Sequence, residues 1–259
     1  VAACFAMLVF ALSAAILPAA LLRAAGDLKV SPAVLTRVIV TQFGAFFLST
    51  LIGGLLSERY GKLRILRIGC LLTSAGALLW TVATGLSEAH AAAALLGMGG
   101  GILESLGSAC LADLYPERRK FVLNVTQVAY CFGAAIGPAL MSFLLPHSVS
   151  WRLFFAGESL LGLMLLLLYG LVRVSGGSSP GVVMTWSQMV RPLRDPSLRL
   201  LALALFGYVL AESGLVVGTA PYLQVRHQAP EQWALLAITL VWTGMLSGRI
   251  ACAVLPEDF

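Results

Sequence analysis

Three carboxylates stand where carboxylates are expensive. Glu104, Glu158 and Glu212 each lie inside long apolar runs, and an ionisable group in that setting is the default candidate for binding, proton exchange or ion pairing. Glu104 is midway along its run, and helical spacing puts Gly97, Gly100, Gly101, Gly107 and Ser108 on the same face. One small-residue face thus carries a single acid. Small residues either let helices approach closely or leave room for a ligand, so the face reads as a transport site or as a packed seam with a hydrogen-bonded carboxyl. In the next run Asn124, Gln127, Cys131 and Pro138 share one face, and Thr126, Tyr130, Gly133 and Gly137 an adjacent one. If one run descends and the next ascends, Gln127 and Tyr130 fall at the depth of Glu104. An acid, an amide and an aromatic ring at one level suit a polyhydroxylated ligand: the polar groups exchange hydrogen bonds with hydroxyls and the ring covers an apolar sugar face. A carboxyl in a partly dry cavity can also hold and release a proton, which makes Glu104 the expected carrier of a coupling proton.

The remaining polar groups are weaker signals. Tyr208, Glu212 and Thr219 share a helical face, with Glu212 at mid-run as a second binding or pairing acid. Glu158 stands among Leu and Phe about two turns from the end of its run, where a structural or lipid-facing role is expected. Gln42 either lines a cavity or links two helices. Asn124 lies nearer one end, where it lines the cavity or caps the turn after Arg119. Cys4, Cys70, Cys110, Cys131 and Cys252 lie in apolar stretches without paired spacing and read as small packing residues. His90, His147 and His227 stand singly. With no nucleophile-base pair, metal-ligand spacing or phosphate-binding loop, neither an enzyme nor a metal or cofactor is expected.

What must position these residues is plain from composition. Hydrophobic residues make up 59% of the chain and charged residues 11%, against about 25% charged in soluble domains. The expected class is an all-α polytopic membrane protein. Spans of about 20 apolar residues fit at roughly 3–22, 36–57, 65–86, 91–113, 121–144, 152–173, 199–222 and 232–254. Of the 17 Lys and Arg residues, eleven fall on the side of the 58–64 loop and five (Arg23, Lys29, Arg37, Arg152, Arg226) on the other, with Arg249 near the inner end of the eighth span. That bias puts the 58–64 loop in the cytoplasm, and it explains the net charge of +5 better than nucleic-acid binding does. Ser175 to Pro180 has linker composition, and Trp186 to Arg194 could form a short interfacial helix. The organisation expected is a six-helix bundle over 1–173, a cytoplasmic linker over 174–198, and the start of a second bundle over 199–259. Val1 already lies in an apolar run without a charged leader, and the chain stops just after a span, so both ends read as cut.

The loop itself carries a resemblance. Gly53-Gly54-Leu55-Leu56-Ser57-Glu58-Arg59-Tyr60-Gly61-Lys62-Leu63-Arg64 resembles the signature loop G-x-L-a-D-R-x-G-r-r between spans two and three of the major facilitator superfamily. Gly54, Leu56, Arg59 and Gly61 match, Glu58 stands for Asp, and Lys62 takes the basic position. Gly244-Met-Leu-Ser-Gly-Arg249 repeats Gly54-Leu-Leu-Ser-Glu-Arg59 at an offset of 190 residues, as tandem halves would; Arg249 is accordingly assigned with Gly54, Glu58, Arg59, Gly61 and Lys62 to gating or loop anchoring. Gly133-Ala-Ala-Ile-Gly137-Pro138 resembles the superfamily's G-x-x-x-G-P element of span five, whose expected job is close packing and a bend. The run from Gly97 through Glu104, Asp113-Leu-Tyr-Pro116, Leu123-Asn124-Val-Thr-Gln127 and Phe132-Gly133 is similar to spans four and five of the fucose:proton symporter branch. That resemblance implies two helix bundles of twelve spans in all, of which about eight are present. It carries the branch's proton-linked acid onto Glu104 and its sugar-lining amide onto Gln127. The branch's span-one acid falls on Ala14 when aligned at Pro18.

The function expected is a secondary transporter of a sugar or similar small polar solute, proton-coupled and working by alternating access, as a monomer in the lipid bilayer of the cell membrane and without nucleic-acid partners. Two rivals stay open: an efflux antiporter for drugs or metabolites on the same fold, and a non-transporting membrane sensor or scaffold.

Overall fold

The structure, a computed structural model, describes residues 1–171 and 191–254. Eight helices follow one another: α1 (Ala2–Asp27), α2 (Pro32–Tyr60), α3 (Lys62–Val82), α4 (Leu86–Leu114), α5 (Arg119–Leu144), α6 (Arg152–Leu171), α7 (Pro196–His227) and α8 (Glu231–Val254), with short 3-10 turns at Pro116–Arg118, Leu145–His147 and Arg191–Arg194. All eight are long and apolar enough to cross a bilayer. Among the described residues there is no strand, as expected where hydrocarbon leaves backbone groups no partner but their own helix. The linker expected from 174 lies outside the described residues up to 190, as does most of the helix expected from Trp186 to Arg194.

Local chemistry sets the helix ends. Ser31 caps α2 by accepting from the Val34 N–H at 3.3 Å, ahead of Pro32 in the first turn. Asp195 caps α7 in the same way through the Ser197 N–H at 2.8 Å, again with proline next. Between α2 and α3 the chain reverses on one residue, Gly61, whose φ of 87° is open to glycine and strained for most other residues. The basic loop of the sequence is this turn, and Lys62 pairs with Asp113 at the end of α4.

In lipid, helices associate by close packing and hydrogen bonds rather than by exclusion from water, and α4 shows how. A Cβ on Gly97 would lie 2.0 Å from the Gln42 carbonyl oxygen of α2, and one on Gly101 2.4 Å from the Phe46 carbonyl oxygen. Gly99 abuts Thr73 of α3 and Gly100 the Phe10 ring of α1. Most of the glycine-rich face is therefore packing surface on three sides and leaves no room for a ligand. Gly107 alone of these faces only a side-chain methyl, Met7 Cε at 3.9 Å. Gly133 of α5 lies equally close to the Leu8 backbone of α1.

α1 is the central helix, packed on α5, α4, α6, α2 and α7; α8 runs along α5 and α7 rests on α8 and α1. The core divides by depth. Its outer part draws on all eight helices, from Leu17 and Leu35 to Val216, Ala220, Leu235 and Ile238. Its inner part, including Ala6, Leu66, Leu103 and Leu165, comes from α1, α3, α4 and α6 alone.

Candidate functional site

Five polar side chains from four helices gather in one string, three of them linked by hydrogen bonds. The Glu104 carboxyl of α4 lies beside the Gln127 amide of α5. Arg249 of α8 donates from Nη1 to Gln127 Oε1 at 2.7 Å and from Nη2 to the Tyr208 hydroxyl at 3.3 Å. Glu212, one turn further along α7, lies beside Tyr208. The helices dictate the meeting. α4 and α5 run antiparallel side by side, so Glu104 and Gln127 fall at one level, and α8 lies along α5, which brings Arg249 to the same amide.

The string has two acids and one base. With both carboxyls ionised it carries one unit of negative charge, and one proton on either acid balances it. Such a change is felt by every member of the string. The string is also shared between helices of the first six and the last two.

Above this layer runs a line of four rings. Phe46 and Phe10 stack with centroids 5.1 Å apart, Phe10 meets Tyr130 at 5.4 Å, and Tyr130 meets the edge of Trp242 at 5.5 Å. A cavity of about 320 Å³ opens beside the string, lined by Asn124, Tyr208, Met245, Gly248 and Arg249. A second, of about the same volume, is lined by Phe46, Thr50, Glu104, Ser105 and Ser108.

Glu104, Gln127, Asn124, Tyr130 and Glu212 thus gather around one region. For three residues the structure adds to what the sequence suggests or selects between its alternatives. Arg249 is no part of the Gly61 turn, where Gly54, Glu58, Arg59 and Lys62 remain. One turn or more inside the end of α8, its guanidinium is drawn to the amide and phenol of the central string. Gln42 lines neither cavity: it is buried, and its amide donates to the Ser13 carbonyl at 3.0 Å, joining α2 to α1. Glu158 does not face lipid but is 1% exposed against α1. Sequence reasoning passed over Phe10, Phe46 and Trp242, because an aromatic residue in an apolar span carries no polar mark. Arg249 did carry one, as the one cation in the interior of the eighth span.

Comparison with known proteins gives a consistent picture. A family model described as Major Facilitator Superfamily matches residues 2–257. A probable actinorhodin transporter of Streptomyces coelicolor is 25% identical over 229 residues, covering 87% of this chain and 36% of that protein. The crystal structure of a D-xylose-proton symporter superposes with a TM-score of 0.71 at 18% identity, over 95% of this chain and 65% of that one. A partially occluded inward-open xylose transporter from E. coli gives 0.68 at 15% identity, over 95% and 69%. A peptide transporter gives 0.57 at 20% identity, over 81% and 45%. The chain spans about a third of the curated relative's length and about two thirds of the xylose symporter's.

Proposed function

This chain belongs to the Major Facilitator Superfamily, and from that premise we propose that it forms part of a proton-coupled secondary carrier for a sugar or similar small polar solute. The observation that carries the reading is the cluster in which Arg249 of α8 bonds Gln127 of α5 and Tyr208 of α7, with the acids Glu104 and Glu212 beside them and an open cavity alongside. On this reading Glu104 takes the coupling proton. Neutralising it weakens its hold on the Gln127 amide, which then turns to solute hydroxyls, while Tyr130 and Trp242 cover the solute's apolar face. Residues 1–173 act as one bundle and 199–259 begin the second, joined through 174–198, with the carrier working as a monomer in the cell membrane. Gly54, Glu58, Arg59, Gly61 and Lys62 act as the hinge turn on the cytoplasmic side.

The decisive variant is Glu104→Gln in the complete carrier. It keeps shape and hydrogen bonding but cannot exchange a proton. Proton-driven accumulation is expected to fall at least ~10-fold, with solute exchange across the membrane retained. Unchanged accumulation overturns the assignment.

A second reading, efflux of an aromatic metabolite by proton antiport, is favoured by two observations: the likeness to a probable actinorhodin transporter and the four-ring line above the polar string. Alkalinisation of the medium on adding D-xylose to expressing cells supports import. Resistance to aromatic antibiotics on expression, without alkalinisation, supports efflux. Absence of saturable flux in proteoliposomes leaves the sensor or scaffold.

A further inference from the structure

One acid lies outside the central string. Glu158 of α6 is sealed, and its Oε1 meets the Ser13 hydroxyl of α1. Its other oxygen, Oε2, is buried without a partner. α6 packs on α1 and α3, and the charged groups of all three helices are engaged elsewhere or lie at the helix ends. Arg152 donates to the Trp80 carbonyl at 3.0 Å, Arg67 to the Tyr169 carbonyl at 2.8 Å, and Asp27 accepts from Trp151 Nε1 at 2.7 Å. Arg23 holds Glu231 and Lys62 holds Asp113, while Arg64 is exposed at the cytoplasmic turn and Cys70 and Tyr169 belong to the inner core. What α3 offers this face of α6 is Ser74. Its carbonyl accepts from Ser159 at 2.9 Å, and its hydroxyl, also without a partner, lies where a side chain on Gly162 would be.

A carboxylate with one hydroxyl and no cation would be a lone buried charge, among the least favourable groups a protein can hold. As a permanent structural element, a half-satisfied acid is inferior to an apolar side chain of the same size. A seam this narrow admits one counter-charge, a proton. The seam also leads somewhere. The Ser13 carbonyl, on the far side of α1, accepts from Gln42, and Gln42 is one turn from Phe46, which lines a cavity with Thr50 and Glu104.

We propose that Glu158 is a second proton-exchanging carboxyl, with Ser13 as its partner and the Ser13–Gln42 seam as its link to the central cavity. This rests on the proton-coupled reading above, and the test separates the two. Infrared spectra of the complete carrier in liposomes are recorded as the buffer is taken from acid to alkaline, for the native protein, Glu104→Gln and Glu158→Gln. Subtracting each variant from the native protein isolates one carboxyl band. Loss of a band that disappears reversibly at alkaline pH is expected in the Glu158→Gln difference. A Glu158 band that persists throughout, or no band at all, overturns the inference. A Glu104 band that never changes, with the Glu158 band titrating, instead sinks the role given to Glu104 and leaves this one standing. If Glu158→Gln does not fold, Ser13→Ala decides: removal of the hydroxyl should shift the frequency of one titrating carboxyl band, and an unshifted spectrum overturns the pairing.

Discussion

The two ends of the contact between the first six helices and the last two are built differently. At the outer end Arg23 of α1 grips Glu231 of α8 with both arms of its guanidinium, Nε to Oε1 at 2.6 Å and Nη2 to Oε2. Beneath the pair Val216, Ala220, Leu235 and Ile238 enter the same core as Leu17 and Leu21. At the inner end the contact is one guanidinium on a neutral amide and a phenol, with cavity beside it, and the inner core has no residue from α7 or α8 among those described. The contrast teaches that the two ends of this contact are held by different chemistry. Full charges and apolar packing close the outside. The other end, on the side where Lys and Arg concentrate, is held by hydrogen bonds to neutral groups.

Reversing the outer charge should break that asymmetry. Arg23→Glu puts two acids face to face. The side chains are 37% and 23% exposed, so screening leaves roughly 1–2 kcal/mol, about a 10-fold shift toward an outward-open form. Labelling of a cysteine at Ala220 by an impermeant reagent measures it, and the double variant Arg23→Glu with Glu231→Arg should restore the native rate. Labelling unchanged in the single variant would mean the pair is ornamental and packing alone closes the outside. At the inner end Arg249→Lys keeps the charge but loses the fork that holds Gln127 and Tyr208 together. KM for the solute should rise about 3- to 10-fold, with the native distribution of outward labelling unchanged. A change in labelling instead would make the inner contact a latch like the outer one. Tyr208→Phe is the mildest test. Tyr208 is 45% exposed and its bond from Arg249 is 3.3 Å long, so less than about a 2-fold change in KM is expected.

Much of this architecture is legible in the sequence, and the reasons differ by residue. All eight spans show because each must be apolar over about 20 residues. The Gly61 turn shows because only glycine takes that backbone without strain. Glu104 and Gln127 meet at one depth because neighbouring antiparallel helices convert sequence distance into height. The Arg23–Glu231 pair does not show: its partners are 208 residues apart and nothing periodic links them. The bonds of Arg249 do not show either: its repeat of Arg59 marks it as a gating or loop-anchoring base, but not that Gln127 and Tyr208 meet it once α8 lies against α5. Gln42 and Glu158 could not be told from cavity-lining or lipid-facing groups because which neighbour covers a helix face is decided by packing.

The glycines of α4 bear on how such a carrier could change its diet. With Gly97 and Gly101 against the α2 backbone, Gly99 against α3 and Gly100 against a ring of α1, almost any side chain added there collides with a neighbour. Those four positions are therefore closed to larger side chains, while Glu104, Ser105 and Ser108 on the same helix border a cavity. Variation, whether arising by descent or sought in the laboratory, has freer play at Asn124, Tyr208 and Met245, which border a cavity.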